Sequence, residues 1–176
     1  MARLHATSPR ATRATGAMCT LFAALSLTLG LPWAADSGRA EGGTPPPLYP
    51  MTDGVAAFER ALSQLTDGER LLVVFGADWC PDCRTLARAL ARPPVADVIG
   101  DAVTVLKINV GRWDRNLALA ERFGNPIERG IPAVAVVDAH GTARAVTAAG
   151  ELARARAMSH EELAEFLQAL LASSAS

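Results

Sequence analysis

The chain has 176 residues, half of them apolar and a fifth charged, a balance that suits one soluble domain with extensions and excludes a disordered or wholly membrane-embedded protein. Of 17 basic residues three (Arg3, Arg10 and Arg13) are the only charged residues in the first 35, so the remainder carries 14 bases against all 18 acids, a net charge of −4. A surface of that sign has no electrostatic reason to seek phosphate backbones, so nucleic acid is excluded as a partner.

The N-terminus reads as an address. The three arginines form an acid-free basic region, and an apolar run follows from Met18 to Leu31, short for a bilayer span but suited to the core of a signal peptide. Residues 1–35 are therefore expected to be a signal peptide of a periplasmic or otherwise exported protein, with cleavage between Ala34 and Glu41. The alternative is an uncleaved membrane anchor. No adjacent arginine pair supports a twin-arginine signal.

Residues 36–50 shift to Gly, Ser, Thr and Pro and end in Pro45-Pro46-Pro47-Leu48-Tyr49-Pro50, which reads as a spacer or, alternatively, a proline-motif ligand. From Met51 the pattern becomes regular. Asp53 caps a predicted helix with Val55, Phe58, Leu62 and Leu65 on its apolar face, stopped by Asp67-Gly68. Leu71 to Phe75 is a continuous apolar run, the mark of a strand covered on both faces. A helix opens at Pro81 and is ended by Pro93-Pro94. Val103 to Val110 is a second strand, and Trp113, Leu117, Ala120 and Phe123 predict a further helix. Ala133 to Val137 is a third strand, and the turn 138–141 leads to a weaker one near Thr142 to Thr147. Ser159 with Glu162 is a capping box for an amphipathic last helix bearing Leu163, Phe166, Leu167 and Leu170. Strands alternating with helices imply parallel pairing, and the late hairpin adds antiparallel neighbours. The fold class is α/β, a small mixed sheet with helices on both sides.

Three cysteines occur. Cys19 lies in the segment that cleavage would discard, leaving Cys80 and Cys83. Two cysteines in one tetrapeptide cannot join distant segments, and no second C-x-x-C or paired His motif supplies a zinc site. His140 and His160 lie far apart, each read as an exposed surface histidine. The motif Cys80-Pro81-Asp82-Cys83 sits where a buried strand turns into a helix. There, unpaired backbone N–H groups and the positive end of the helix dipole stabilise a thiolate at Cys80, the nucleophilic form in disulfide exchange. Cys83 lies one turn on, close enough to resolve a mixed disulfide.

With Val74 to Cys83 (Val-Phe-Gly-Ala-Asp-Trp-Cys-Pro-Asp-Cys) and Gly130-Ile131-Pro132, the chain resembles the thioredoxin superfamily. Within it, Ala77 to Cys80, the run Leu106 to Asn109 and the later Gly-Ile-Pro are similar to the C-terminal domain of DsbD and its stand-alone periplasmic relatives. The resemblance covers Met51 to Ala172. It implies a thioredoxin-like domain over 51–174 with a four- to five-stranded mixed sheet, no cofactor, and a monomer. Protein thiols and disulfides are its implied partners, with a membrane or soluble electron donor. Pro132 corresponds to the family's cis-proline, leaving the Ile131 backbone to pair with a substrate strand; an ordinary trans proline opening a strand is the alternative. Trp79 corresponds to the tryptophan flanking the site, a contact surface or core packing.

One departure concerns proton transfer. Val74 stands where thioredoxins commonly hold a buried acid, so Lys107 matches a family lysine whose usual partner is missing. Water, Asp82 or Asp78 must then serve Cys83. Pro81, Asp82 and Lys107 are the expected thiol-tuning residues. The Asp82 charge should oppose a thiolate at Cys80, which favours a reductase or electron carrier over an oxidase. A disulfide-forming or isomerising protein is the second reading. A metal-handling or adaptor protein is the third, poorly supplied with ligands because neither histidine nor a methionine cluster is expected beside the cysteines.

Overall fold

Leu71 to Phe75 forms the interior of a four-stranded sheet in the computed structural model, which describes residues 45–175. The predicted signal segment, Cys19 and residues 36–44 of the spacer lie outside the described residues. Strand β1 (Arg70–Gly76) pairs in parallel with β2 (Val103–Asn109) and antiparallel with β3 (Ala133–Asp138). β4 (Ala143–Val146) adds to the outer side of β3, giving the order β2-β1-β3-β4. Every residue of β1 from Leu71 to Gly76 is buried whichever way it points, the burial pattern that its unbroken apolar run requires.

Helices α1 (Gly54–Leu62) and α4 (Leu117–Arg122) pack on one another, while α2 (Pro81–Ala89) and α3 (Val95–Ile99) pack on α5 (His160–Ser173). These two groups cover the sheet, as the α/β reading requires. The end signals work as read. The Asp53 carboxylate accepts from the Ala56 N–H at 3.0 Å. The Ser159 hydroxyl accepts from the Glu162 N–H, and the Glu162 carboxylate accepts from the Ser159 N–H, at 3.1 and 2.7 Å. Between β3 and β4 the Asp138 carboxylate accepts from the N–H groups of His140 and Thr142, fixing the turn.

Five expectations are corrected. Val55 is exposed, because Gly54, Ala57 and Phe58 set the buried stripe of α1 and leave Val55 at its margin; the helix also stops at Leu62, before Leu65. Trp113 lies outside α4 in the left-handed region (φ 69°), since Asn116, also left-handed, precludes a helical turn ahead of Leu117. Asn116 is held there by its side chain, which donates to the Asn109 carbonyl and accepts from the Gly54 N–H, each at 2.8 Å. α2 stops at Ala89, ahead of Pro93-Pro94, and the proline pair instead introduces α3, where proline at the cap loses no helical hydrogen bond. Finally, packing begins before Met51.

Tyr49, within the stretch read as a spacer, is completely buried. Its ring occupies the space that a side chain at Gly76 would need; a Cβ there would come within 2.5 Å of the ring. Its hydroxyl donates to the Cys83 carbonyl at 3.2 Å, and its own carbonyl accepts from the Asn109 amide at 2.8 Å. The Asp78 carboxylate accepts from the Leu48 N–H at 2.9 Å and, more loosely, from the Tyr49 N–H at 3.4 Å. The segment is thus stitched to the end of β1 and the first turn of α2.

Burial, and secondarily the Asp78 charge, push the Tyr49 phenol well above its ordinary range. A raised folded-state value means the neutral phenol is the form the fold favours. That stability is fully present below the unfolded-state value of about 10 and is lost as pH rises beyond it. Urea unfolding should therefore show stability falling above about pH 10, with a shallower fall in Tyr49→Phe. At neutral pH the same variant should lose about 1 kcal/mol, the net worth of one hydrogen bond. The chain has a single tyrosine, so its ionisation can be followed directly by ultraviolet absorbance.

Candidate active site

At the end of β1 the chain turns through Ala77, Asp78 and Trp79 and enters α2, with Cys80 as its N-cap and Pro81 as its first residue. The Cys80 backbone is extended (φ −82°, ψ 118°), and its sulfur accepts from the Cys83 N–H at 3.2 Å, the role a serine or aspartate side chain takes at an ordinary cap. Cys80 and Cys83 are disulfide-bonded, with Cα atoms 5.2 Å apart. Cys83 is fully buried, whereas Cys80 keeps a small exposed edge at 4%. Of the pair, Cys80 is therefore the one that reaches the surface. Once the bond is reduced, the free N–H groups and dipole of α2 face the Cys80 sulfur and favour its thiolate.

The loop before β3 closes the other side. The Ile131–Pro132 peptide is cis, and both residues are buried. The Ile131 carbonyl oxygen lies 3.6 Å from the Cys80 sulfur, within reach of a reduced S–H. No hydrogen bond among the described residues engages the Ile131 N–H.

Trp79 is at the surface, 44% exposed, with its indole N–H donating to the Gly111 carbonyl at 2.7 Å. Of the two readings offered for it, core packing is the one this position does not match. Asp82 is turned from solvent. It is 7% exposed, and its carboxylate accepts from the Arg156 N–H at 3.0 Å, with the Arg156 guanidinium 3.9 Å off. Arg156 belongs to a 3₁₀ turn, Ala155–Ala157, so Asp82 fastens the first turn of α2 to the segment leading into α5. Asp78 is committed to the Leu48 and Tyr49 N–H groups. Both carboxylates named as proton carriers for Cys83 therefore already accept from backbone donors. Lys107 is half-buried on β2 directly opposite Val74, and among the described residues it forms no ion pair.

The sequence reading missed Tyr49 and Arg156, which touch the site from outside the motif. A lone tyrosine closing a proline run, just ahead of a domain whose first strand ends in glycine, was the available signal for the former. No local signal marks the latter. His140 and His160 are exposed, as expected. A polar groove at the far end of β1 is lined by Glu69, Arg70, Asp138, His140 and Arg144, and both of its arginines are engaged. Arg144 pairs with Asp138 at 2.7 Å, and Arg70 donates to the Leu171 carbonyl and the Ser174 hydroxyl.

The family described as thioredoxin-like matches residues 53–139. Among solved structures, the chain is similar to a disulphide isomerase from Xylella fastidiosa Temecula1, at 34% identity over 82% of this chain and 99% of that one, with a TM-score of 0.64. It is also similar to a mutant thioredoxin from Halobacterium salinarum NRC-1, at 23% identity over 73% and 96% of the two chains, with a TM-score of 0.47. No curated protein matches. A cysteine-capped helix after a buried strand, a cis-proline loop facing it, and a 34% identical relative covered almost end to end agree with one another: the chain belongs to the thioredoxin superfamily.

Proposed function

We propose that the protein is an exported thiol–disulfide oxidoreductase that reduces protein disulfides or relays electrons through Cys80 and Cys83. The observation that carries the reading is the Cys80 sulfur at the cap of α2, on the accessible side of a disulfide whose other sulfur is buried. In the reduced protein the Cys80 thiolate attacks one sulfur of a substrate disulfide, forms a mixed disulfide and expels a substrate thiolate, which takes up a proton. Cys83, as a thiolate, then attacks the Cys80 sulfur and releases the second substrate thiol. Two electrons and two protons reach the substrate, and the protein is left as the Cys80–Cys83 disulfide. A membrane or soluble dithiol donor restores the reduced pair. The unengaged Ile131 N–H offers the substrate backbone a donor beside the sulfur. Export rests on the basic and apolar pattern of residues 1–35.

The similarity to a protein described as a disulphide isomerase favours a second reading, in which the same Cys80 attack reshuffles disulfides without net reduction. Asp82 favours the first. A carboxylate two residues after Cys80 opposes a thiolate there and so stabilises the disulfide, although Arg156 offsets part of that charge.

In cells, Cys83→Ser should accumulate mixed disulfides with partner proteins, and Cys80→Ser should trap none. Equal trapping by both variants would reverse the assignment of nucleophile. Equilibration with glutathione should place the potential well below the strongly oxidising value of about −120 mV. Asp82→Asn keeps an acceptor for the Arg156 N–H but removes the charge, and should raise the potential by tens of millivolts, where about 30 mV is about 1.4 kcal/mol. An unmoved potential would dismiss Asp82 as a tuning residue, and a wild-type value near −120 mV would dismiss the reductase. Protein recovered from the periplasmic fraction should begin between Ala34 and Glu41; an intact Met1 in the membrane fraction would establish the anchor instead.

A further inference from the structure

Among the described residues five large apolar side chains are exposed, Met51, Val55, Trp79, Trp113 and Leu117, and they share one face. Three grooves connect them. Met51 and Arg115 line both the groove beside Trp79 and the one between the start of α1 and α4. Leu117 lines that second groove and a third, of about 330 Å³, beside Trp113. The Trp79 and Trp113 rings meet edge to face with centroids 6.5 Å apart. The patch is therefore continuous, and it ends at the residue that precedes Cys80.

Trp113 is the unusual member. A bulky residue in the left-handed region is a strained outlier, and strain of this kind persists only where the surroundings impose it. Here they do. The Val110 carbonyl accepts from the N–H groups of Trp113 and Asp114, the Asp114 carboxylate accepts from the Arg112 N–H at 2.8 Å, and the Gly111 carbonyl accepts the Trp79 indole N–H. All of this leaves the Trp113 indole 44% exposed, so burial of its ring does not account for the conformation.

We propose that this face docks the polypeptide flanking the disulfide that Cys80 attacks, with a large apolar side chain of the partner seated against the Trp79–Trp113 pair. The proposal rests on the thiol–disulfide reading above. Two observations select this occupant. The patch runs into Trp79, so a chain lying on it delivers its cysteine to Cys80. Charges in the groove beside Trp79 balance, Arg112 and Arg115 against Asp78 and Asp114, so apolar contact rather than net charge does the selecting.

Two synthetic peptides, each closed by one disulfide and differing in Trp or Ser next to a cysteine, test this. The reduced protein should open the Trp peptide about tenfold faster. Trp113→Asn should bring that ratio toward one while keeping or raising the melting temperature, because asparagine tolerates the left-handed backbone. Leu117→Ser should lower the ratio from the adjoining groove. In parallel, protein with both Cys80 and Cys83 changed to Ser is titrated calorimetrically with linear, cysteine-free versions of the peptides, and should bind the Trp version about tenfold more tightly. Equal exchange rates with equal binding would overturn the docking surface and leave the oxidoreductase standing. Trp-selective binding without exchange of either peptide would overturn the oxidoreductase and leave the surface standing. Selectivity lost only together with thermal stability, or a dimer in sedimentation that Trp113→Asn dissolves, would also overturn the proposal, assigning the face to packing or to a second copy.

Discussion

The hydrogen bond from the Cys83 N–H to the Cys80 sulfur is the contact on which the rest of the structure converges. A helix begins with N–H groups that lack intrahelical partners, and here a sulfur satisfies one of them. The cap that stabilises α2 and the atom available for chemistry are the same. For that to hold, the sulfur must stay at the helix start, and several distant segments keep it there. Buried β1 delivers the chain from within the core, and the Ile131–Pro132 loop closes the opposite side. Asp82 fastens the first turn to Arg156, and the Tyr49 hydroxyl grips the Cys83 carbonyl from behind. A reactive group held by its neighbours from several directions needs little reorganisation when it reacts.

Polar groups near the pair are spent on this positioning. Asp78 accepts backbone N–H groups from the strap at Leu48 and Tyr49, and Asp82 accepts one from the turn before α5. On β1 the side chain opposite Lys107 is Val74, fully buried and apolar. The interior beside the cysteines is therefore built by packing and backbone hydrogen bonds, and the carboxylates act at its margins. The loop after β2 works differently. It is rigid through its own hydrogen bonds, yet it presents an indole to solvent at the cost of a strained backbone.

Much of the architecture was legible because it is local. The unbroken apolar run of β1, the Asp53 cap, the Ser159–Glu162 box and a C-x-x-C opening a helix each depend on residues within a turn or a strand of one another. Resemblance added the place of Pro132 opposite the cysteines. Periodicity failed where a side chain's fate depends on a remote surface. Trp113 fits the spacing of α4, but Asn116 is recruited by Asn109 and Gly54 and breaks the helix before it. Val55 fits α1, but the buried stripe settles one position away from it.

By itself the sequence determined the strand–helix order, the helix caps and the placement of a cysteine pair at a helix N-terminus, since short-range sterics and hydrogen bonding dictate these. Only the tertiary structure decided what surrounds the pair. Tyr49 reaches Cys83 across 34 residues and Asp82 reaches Arg156 across 74, so no local pattern specifies either contact. A buried polar group takes whichever partner the packed chain brings within hydrogen-bonding distance, and that choice exists only after the sheet and helices have closed around it.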